Sequence, residues 1–277
     1  MTMLSINTNV GAIFAAHSSH KVNKSMEDSM ARLSSGKRIN SGADDAAGLF
    51  ITKRMAGEIQ GLNQAVRNAA DAQAYLQTTE GAMEEVHTIL LRIRELAVQA
   101  SNGTYTSQDR VALQAEVSDL QSEINRIATD TTFNNIGVLS GAASTGITFQ
   151  VGADNTQTMT VSIPRITISS AGINISTTLQ LSTAAGAMAY ISTIDSAISL
   201  ISTNRGTYAA AMNRLDHAIA NMQNVATNLS MAKGRIEDAD FAAETSNLAR
   251  VQVLQQASMA MLAQANASKQ NILSLFQ

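Results

Sequence analysis

The sequence contains no cysteine and no tryptophan, a single proline (Pro164), and aromatic residues make up only 4% of it. Without cysteine there is neither a disulfide framework nor a thiolate metal site, and the chain suits the cytosol and the outside of a cell equally. A net charge of −3 over 277 residues is too small to point to nucleic acid or an anionic membrane as a partner. No apolar run approaches the ~20 residues that span a bilayer, so no membrane insertion is expected. The opening MTMLSINTNVGAIFAAHSSH lacks a basic start and carries Asn7 and Asn9 where a signal peptide is apolar, so no cleaved secretion signal is expected and any export takes another route. Catalytic motifs are missing too: there is no HExxH, no glycine-rich phosphate loop and no GxSxG. Glu84-x-x-His87 matches half of a di-iron carboxylate motif, which needs a second copy that does not exist. His17 and His20 lie one helical turn apart with no carboxylate or cysteine beside them, a spacing best read as chance. No enzyme, cofactor or metal is expected.

What the chain does contain is long apolar periodicity. Met55, Leu62, Ala69, Leu76, Met83, Leu90 and Ala97 recur every seven residues without exception, which predicts one helix from about Ala46 to Ala100 with a buried seam. A second line is expected at Ile59 and Val66, then at Ala72, Val86 and Ile93. Such a helix is roughly 80 Å long and must lie against others of similar length. Its partner is expected along Ile194, Ile198, Ile201, Arg205, Tyr208, Met212, Leu215, Ile219, Met222, Ala226 and Leu229, where only Arg205 interrupts the apolar run. A shorter copy, Leu113, Val117, Leu120, Ile124 and Ile127, sits between them. The bend at Ser101, Asn102 and Gly103, followed by Thr106 and Asp109 as a capping box, predicts that the helices on either side pack antiparallel.

The remaining segments are less regular. Ile147, Phe149 and Val151, then Met159, Val161 and Ile163, alternate around Gly152–Asn155 and predict a β-hairpin. Residues 165–186 read as irregular or weak strand. Residues from about Leu4 to Leu33 predict a helix that ends in a polar, glycine-containing break, and a matching break precedes a final helix after Leu229. An Ala- and Ser-rich stripe recovers little of the ordering entropy from one partner. The two ends are therefore expected to be loose in a single chain and ordered against other copies, an arrangement that repeats into an open filament unless it closes as a ring.

The segments INTN (Ile6 to Asn9), LSSGKRINSGADDAAG (Leu33 to Gly48), LLRIRELAVQASNGT (Leu90 to Thr104), TTFNNIGVLSG (Thr131 to Gly141), GRIEDADFAAET (Gly234 to Thr245) and QANASKQNILSLF at the C-terminus together resemble bacterial flagellin. The resemblance covers about residues 1–141 and 187–277. It implies a mainly α fold, a long antiparallel coiled-coil helical rod with a small β-hairpin region and terminal helices that pair into a filament core. The implied domains are 1–45 with 235–277 as inner filament-core helices, 46–141 with 187–234 as the rod, and 142–186 as a short outer region. The implied function is a structural subunit of the flagellar filament, exported unfolded by the flagellar type III system and located outside the cell. The partners implied are other copies of the chain, flagellar cap and hook-associated proteins, and an export chaperone on the C-terminal helix. The short outer region implies a thin, smooth filament. Arg205-Gly206-Thr207-Tyr208-Ala209 departs from the family's usual Leu-Gly-Ala.

Two sets of residues are candidates for contact. Lys37, Arg38, Asn40 and Asp44 in the first break, with Arg235, Glu237, Asp238 and Asp240 in the second, form a polymerisation and spoke set. The acidic Glu237, Asp238 and Asp240 are expected to pair with Lys37 and Arg38, within or between subunits. Arg92, Leu96 and Glu116 match the surface that Toll-like receptor 5 recognises in many flagellins. Arg92 and Glu116 read equally as solvent-facing or inter-subunit charges, and Leu96 as packing. A hook-filament junction protein and a soluble coiled-coil adaptor are the alternatives. An adaptor explains the heptads but not the matched ends.

Overall fold

The computed structural model describes residues 8–141, 144–168, 173 and 181–273. Five helices and two small antiparallel sheets occur among them: α1 (Val10–Ser35), α2 (Ala46–Ser101), α3 (Ser107–Asp130), β1 (Thr132–Phe133), β2 (Ile136–Gly137), β3 (Ile147–Gln150), β4 (Thr158–Val161), α4 (Ala184–Glu237) and α5 (Phe241–Leu273). The chain divides into one body of Met1–Gly57 with Asn228–Gln277 and another of Glu58–Thr227. The divisions fall inside α2 and α4, not at the polar breaks. The expected mainly α fold is the one observed.

In the body of Glu58–Thr227 the heptad line holds: Leu62, Ala69, Leu76, Met83, Leu90 and Ala97 are all buried. The second line is corrected at its start. It runs through Ala65, Ala72, Thr79, Val86, Ile93 and Ala100, all buried, while Ile59 and Val66 are only half-buried. The three-residue offset thus persists throughout, and small residues occupy it where neighbouring backbones come close. Thr79 is tolerated in this line because its hydroxyl donates to the Tyr75 carbonyl at 2.8 Å.

Side-chain bonds fix the helix directions. Gln73 reaches Asp216, Glu80 reaches Arg205 and Arg94 reaches Asp195, so α2 and α4 run antiparallel. The Thr106–Asp109 capping box is formed, and Arg110 of α3 donates from Nε to the Ala100 carbonyl at 2.7 Å. The guanidinium thereby satisfies a carbonyl at the end of α2 that the helix itself leaves open. On α4, Ile194, Ile201, Tyr208, Leu215, Met222 and Ala226 are buried as expected. Ala197 and Ala211 are buried where Ile198 and Met212 were expected, and those two are half-buried. Gln121 of α3 donates to the Tyr190 hydroxyl at 2.6 Å inside the bundle, and burial pushes that phenol up to about 12.

One expectation about apolar length is overturned. A stretch of α4 reaches a mean hydropathy of 1.4 and meets the length and composition of a membrane span. Serine and threonine interrupt the apolar residues without lowering that average much. Ile194 and Ile201 on this helix are spent inside the bundle.

The two small sheets attach to α2. The 147–163 hairpin forms with Ile147 opposite Val161 and Phe149 opposite Met159. Met159, Val161 and Ile163 are buried. Tyr75 on α2 meets Phe133 edge-on with centroids 5.6 Å apart and Phe149 at 6.1 Å, so one aromatic seats both sheets. An alanine side chain at Gly61 would come within 3.1 Å of Ala153, a measure of how close the hairpin turn lies to the helix. The β1–β2 hairpin was not anticipated. Its signal is Asn134-Asn135, both with positive φ, 49° and 62°, as a two-residue type I′ turn requires. Of the irregular 165–186 stretch, residues 169–172 and 174–180 lie outside the described residues; Ile166, Ile168, Ile173 and Leu181 are buried.

Candidate functional site

The other body pairs the two ends of the chain. Asn9 of the first end donates to the Ala265 carbonyl at 3.2 Å, Gln255 donates to Asn23 at 2.8 Å, and Arg32 lies 3.9 Å from Glu244. These contacts set α1 and α5 antiparallel. Helix α1 starts at Val10, capped by the Asn9 side chain; residues 4–7, expected in it, lie outside the described residues. The terminal helices thus form and pair within one chain. They do so with little burial: Val10, Ile13, Phe14, Met30, Phe241, Val253, Met259 and Met261 are all exposed, Phe14 by 75%. A groove of about 440 Å³ runs between the two helices, lined by Phe14, Val22, Leu254 and Met261 among others. Pairing uses one stripe of each helix and leaves the rest of the apolar surface outward.

The two breaks continue the same antiparallel path. Gly36 ends α1 in the left-handed conformation, φ 70°, the geometry that favours glycine. Its carbonyl accepts from Ala239 at 3.0 Å, and Arg38 N–H donates to the Glu237 carbonyl at 2.7 Å, so Lys37 and Asp238 form a single β-bridge. The second break is shorter than expected: α4 runs through Gly234 to Glu237, and only Asp238–Asp240 separate it from α5. Without a Cβ, Gly234 leaves room for the Asp238 carboxylate, whose Oδ2 would lie 2.8 Å from one.

The expected charge pairing is realised in part. Lys37 Nζ lies 2.6 Å from Glu237, and Lys233 lies 3.4 Å from the same carboxylate. The hydrogen bond from Lys37 holds the Glu237 carboxyl below its ordinary range against the opposing effect of burial, and the Lys37 ammonium is raised in turn by the same bond. Within one chain the other expected pairs do not form. Arg38 donates to the Ile236 carbonyl at 2.7 Å and pairs with no acid among the described residues. Asp240 accepts from the backbone N–H groups of Ala242 and Ala243 at 2.9 and 3.2 Å, because a carboxylate at a helix start gains more from unsatisfied N–H groups than from a distant cation. Asp238 is exposed and Arg235 is exposed without an ion pair among the described residues.

Asn40 and Asp44 organise the first break locally. Asp44 Oδ2 accepts from Asn40 N–H at 3.1 Å, Ser41 N–H at 2.8 Å and the Ser41 hydroxyl at 3.0 Å; these bonds, Ser41's first, hold its carboxyl low. Asp45 caps α2: its side chain accepts from Gly48 N–H at 2.8 Å. A side chain at Gly48 would stand 2.5 Å from Asp45 Oδ2 and 2.7 Å from Ile39 Cδ1, and Ile39 is buried. The glycine is required by this packing. The signal was present in the spacing Asp45-Ala46-Ala47-Gly48, which reads as a cap only once the helix start is known.

In the larger body, Arg92 bridges two helices. Its guanidinium donates to Glu116 of α3 at 2.9 Å and to Glu95 of α2 at 3.0 Å, with both partners and Arg92 well exposed. Leu96 is corrected as a surface residue: it is 1% exposed and belongs to the bundle core, whereas Leu91, Val98 and Val111 carry the exposed apolar surface of this segment. Glu84, half of the di-iron pattern, contacts Arg205.

Comparison with known proteins matches both halves of the chain. Residues 6–144 match the bacterial flagellin N-terminal helical region, and residues 191–276 match the bacterial flagellin C-terminal helical region. The flagellin of Halalkalibacterium halodurans is 40% identical over 273 residues, spanning 98% of this chain and 99% of that one. Flagellin FlaB1 of Treponema pallidum is 37% identical over 284 residues, with the same coverage. A solved structure titled as a putative flagellar hook-associated protein from Vibrio parahaemolyticus aligns with a TM-score of 0.59 over 70% of this chain and all of that one, at 16% identity, a likeness of fold alone. With both end regions matched and nearly the whole length shared, the chain belongs to the bacterial flagellin family, as a structural subunit of the flagellar filament and not an enzyme.

Proposed function

We propose that copies of this chain polymerise through the paired helices α1 and α5, with the breaks at 36–45 and 238–240 holding that pair in register. The observation that carries the reading is the apolar surface left outward on both helices after they pair, including Phe14, Val253, Met259 and Met261. Contiguous exposed apolar surface of this kind marks an interaction site. In this reading residues 1–45 with 235–277 serve as the inner filament core, residues 46–141 with 187–234 as the rod, and the 142–186 segment as the outer region. Lys37 and Glu237, already paired, set the register within a subunit. Arg38, Asn40, Asp44, Arg235, Asp238 and Asp240 serve the spoke between core and rod, with Arg235 and Asp238 offering charge to neighbouring subunits.

The chain travels unfolded through the flagellar type III apparatus and takes its place outside the cell, beside cap and hook-associated proteins. Apolar residues distributed around α5, among them Val253, Leu254 and Met261, suit a chaperone that covers this helix before export. The exposed Arg92–Glu116 pair suits recognition by Toll-like receptor 5, with Leu91 rather than Leu96 as the apolar contact beside it.

Electron microscopy tests the central reading. The full chain is heated to monomer and cooled with short filament seeds, beside a chain lacking residues 1–33 and 245–277. Filaments from the full chain alone support polymerisation through the ends. Discrete particles from both, or filaments from both, count against it.

A further inference from the structure

The turn between α2 and α3 holds the one Asn-Gly pair in the sequence, Asn102-Gly103. Both residues are exposed. We propose that this turn is a self-modifying site, at which Asn102 deamidates through a succinimide formed with the Gly103 backbone nitrogen.

Three features of the turn favour the reaction. The nucleophile is available, since the Gly103 N–H makes no hydrogen bond among the described residues. Glycine places nothing in the way: even a Cβ at this position meets no atom within 4 Å. The electrophile is oriented, because Thr104 N–H donates to Asn102 Oδ1 at 3.3 Å. A donor at that oxygen stabilises the negative charge that develops there as the carbonyl is attacked.

The steps balance with water as the only co-reactant. The Gly103 nitrogen gives its proton to solvent base and bonds to Asn102 Cγ. The bond from Cγ to the side-chain nitrogen breaks, and ammonia leaves with a proton from solvent. Water then adds to either carbonyl of the five-membered ring and opens it, giving an aspartyl or an isoaspartyl residue.

The same chain carries an internal comparison. Asn40-Ser41 is another pair with a small following residue, but there the nucleophile is tied: Ser41 N–H donates to Asp44 Oδ2 at 2.8 Å and Asn40 N–H to the same oxygen at 3.1 Å. A nitrogen engaged with a carboxylate must break that bond before it can attack. Asn102 is therefore expected to convert in the folded chain while Asn40 is protected.

Conversion alters a working contact. The Asn102 carbonyl accepts from Arg110 Nη2 at 2.9 Å and from Tyr105 N–H at 3.4 Å. An isoaspartyl linkage routes the backbone through the β-carbon and Cγ, adding a methylene inside this turn and turning the carbonyl that Arg110 holds into a free carboxylate. The new carboxylate also lies at the C-terminal end of α2, where the helix dipole disfavours negative charge.

Peptide mapping of the full chain decides the matter. The chain is held in mildly alkaline buffer, folded or in urea, and digested with trypsin at intervals. The peptides compared are Glu95–Arg110 and Ile39–Lys53, with isoaspartate read by enzymatic methyl labelling. The expected result is a growing fraction of Glu95–Arg110 carrying the mass of oxygen in place of NH, with isoaspartate, from folded chain. Ile39–Lys53 should stay unchanged until the chain is unfolded. Gly103→Ala, for which the turn has room, should lose the conversion, and Asn102→Gln is a second variant that should lose it. Three results would each overturn the proposal: no conversion of Glu95–Arg110 in the folded chain, conversion no faster than at Asn40, or undiminished conversion in the correctly folded Gly103→Ala chain.

Discussion

Replacing Arg205 by leucine probes the one charged residue in the buried line of α4. Its guanidinium reaches Glu80 at 3.2 Å and also contacts Glu84, with side-chain exposures of 27% for Arg205, 36% for Glu80 and 53% for Glu84. Pairs this exposed are worth about 0.5 kcal/mol each, so losing both costs about 1 kcal/mol. One effect opposes that loss. Arg205 Nε is buried with no hydrogen-bond partner, and removing such a group recovers on the order of 1–2 kcal/mol. Leucine adds little further burial, because the arginine stem already covers apolar surface. Glu80 and Glu84 remain solvated, so no buried charge is stranded. Arg205→Leu is thus expected to leave stability unchanged or raise it by up to about 1 kcal/mol, read as an equal or higher urea midpoint by far-UV circular dichroism on the full-length monomer. Added salt should widen the gap only slightly, since the wild-type pairs that it screens contribute little at the outset. A loss of about 3 kcal/mol or more would refute the reasoning, because that is the cost of breaking a desolvated network.

Three other substitutions test the remaining features. Gly48→Ala should destabilise the start of α2 by about 1–3 kcal/mol through overpacking against Asp45 and Ile39; an unchanged urea midpoint would mean that the cap shifts without cost. Glu237→Gln should weaken the body of paired ends by about 1 kcal/mol at neutral pH. Because the Glu237 carboxyl is held low in the folded chain, its contribution is present above the ordinary carboxylate range and is lost as pH falls through its depressed value. At the alkaline end the raised Lys37 contributes below its ordinary value of 10.5 and stops contributing as pH rises through its elevated one. A wild-type advantage that persisted in acid would contradict the assignment. Finally, Arg92→Ala should reduce activation of cells bearing Toll-like receptor 5 while leaving the urea midpoint unchanged, and full activation by that variant would remove Arg92 from the recognition surface.

Much of this architecture is legible in the residues because it rests on local periodicity. Leu62 to Ala97 recur at a spacing that only a buried helical seam explains, Thr106 and Asp109 cap a helix by their own side chains, and Ile147 to Ile163 alternate as a hairpin must. Other features depend on what lies opposite. Whether Ala65 or Val66 enters the core turns on the distance to a neighbouring backbone. Whether Asp240 pairs with Arg38 or caps α5 turns on where α4 stops. Gly234 is a poor helix former, yet α4 passes through it because the antiparallel register with Gly36–Arg38 extends the helix to Glu237. Leu96 had an even choice between surface and core until the bundle closed over it.

The residues alone thus determined the helices, the two polar breaks and the family, since each is written in spacing along one chain. Tertiary structure decided which side chains those helices spend on each other and which they leave outward. Burial is a property of the partner's position as much as of the residue. Phe14 and Leu96 are both large apolar side chains on helices, and only packing makes one an exposed contact and the other core.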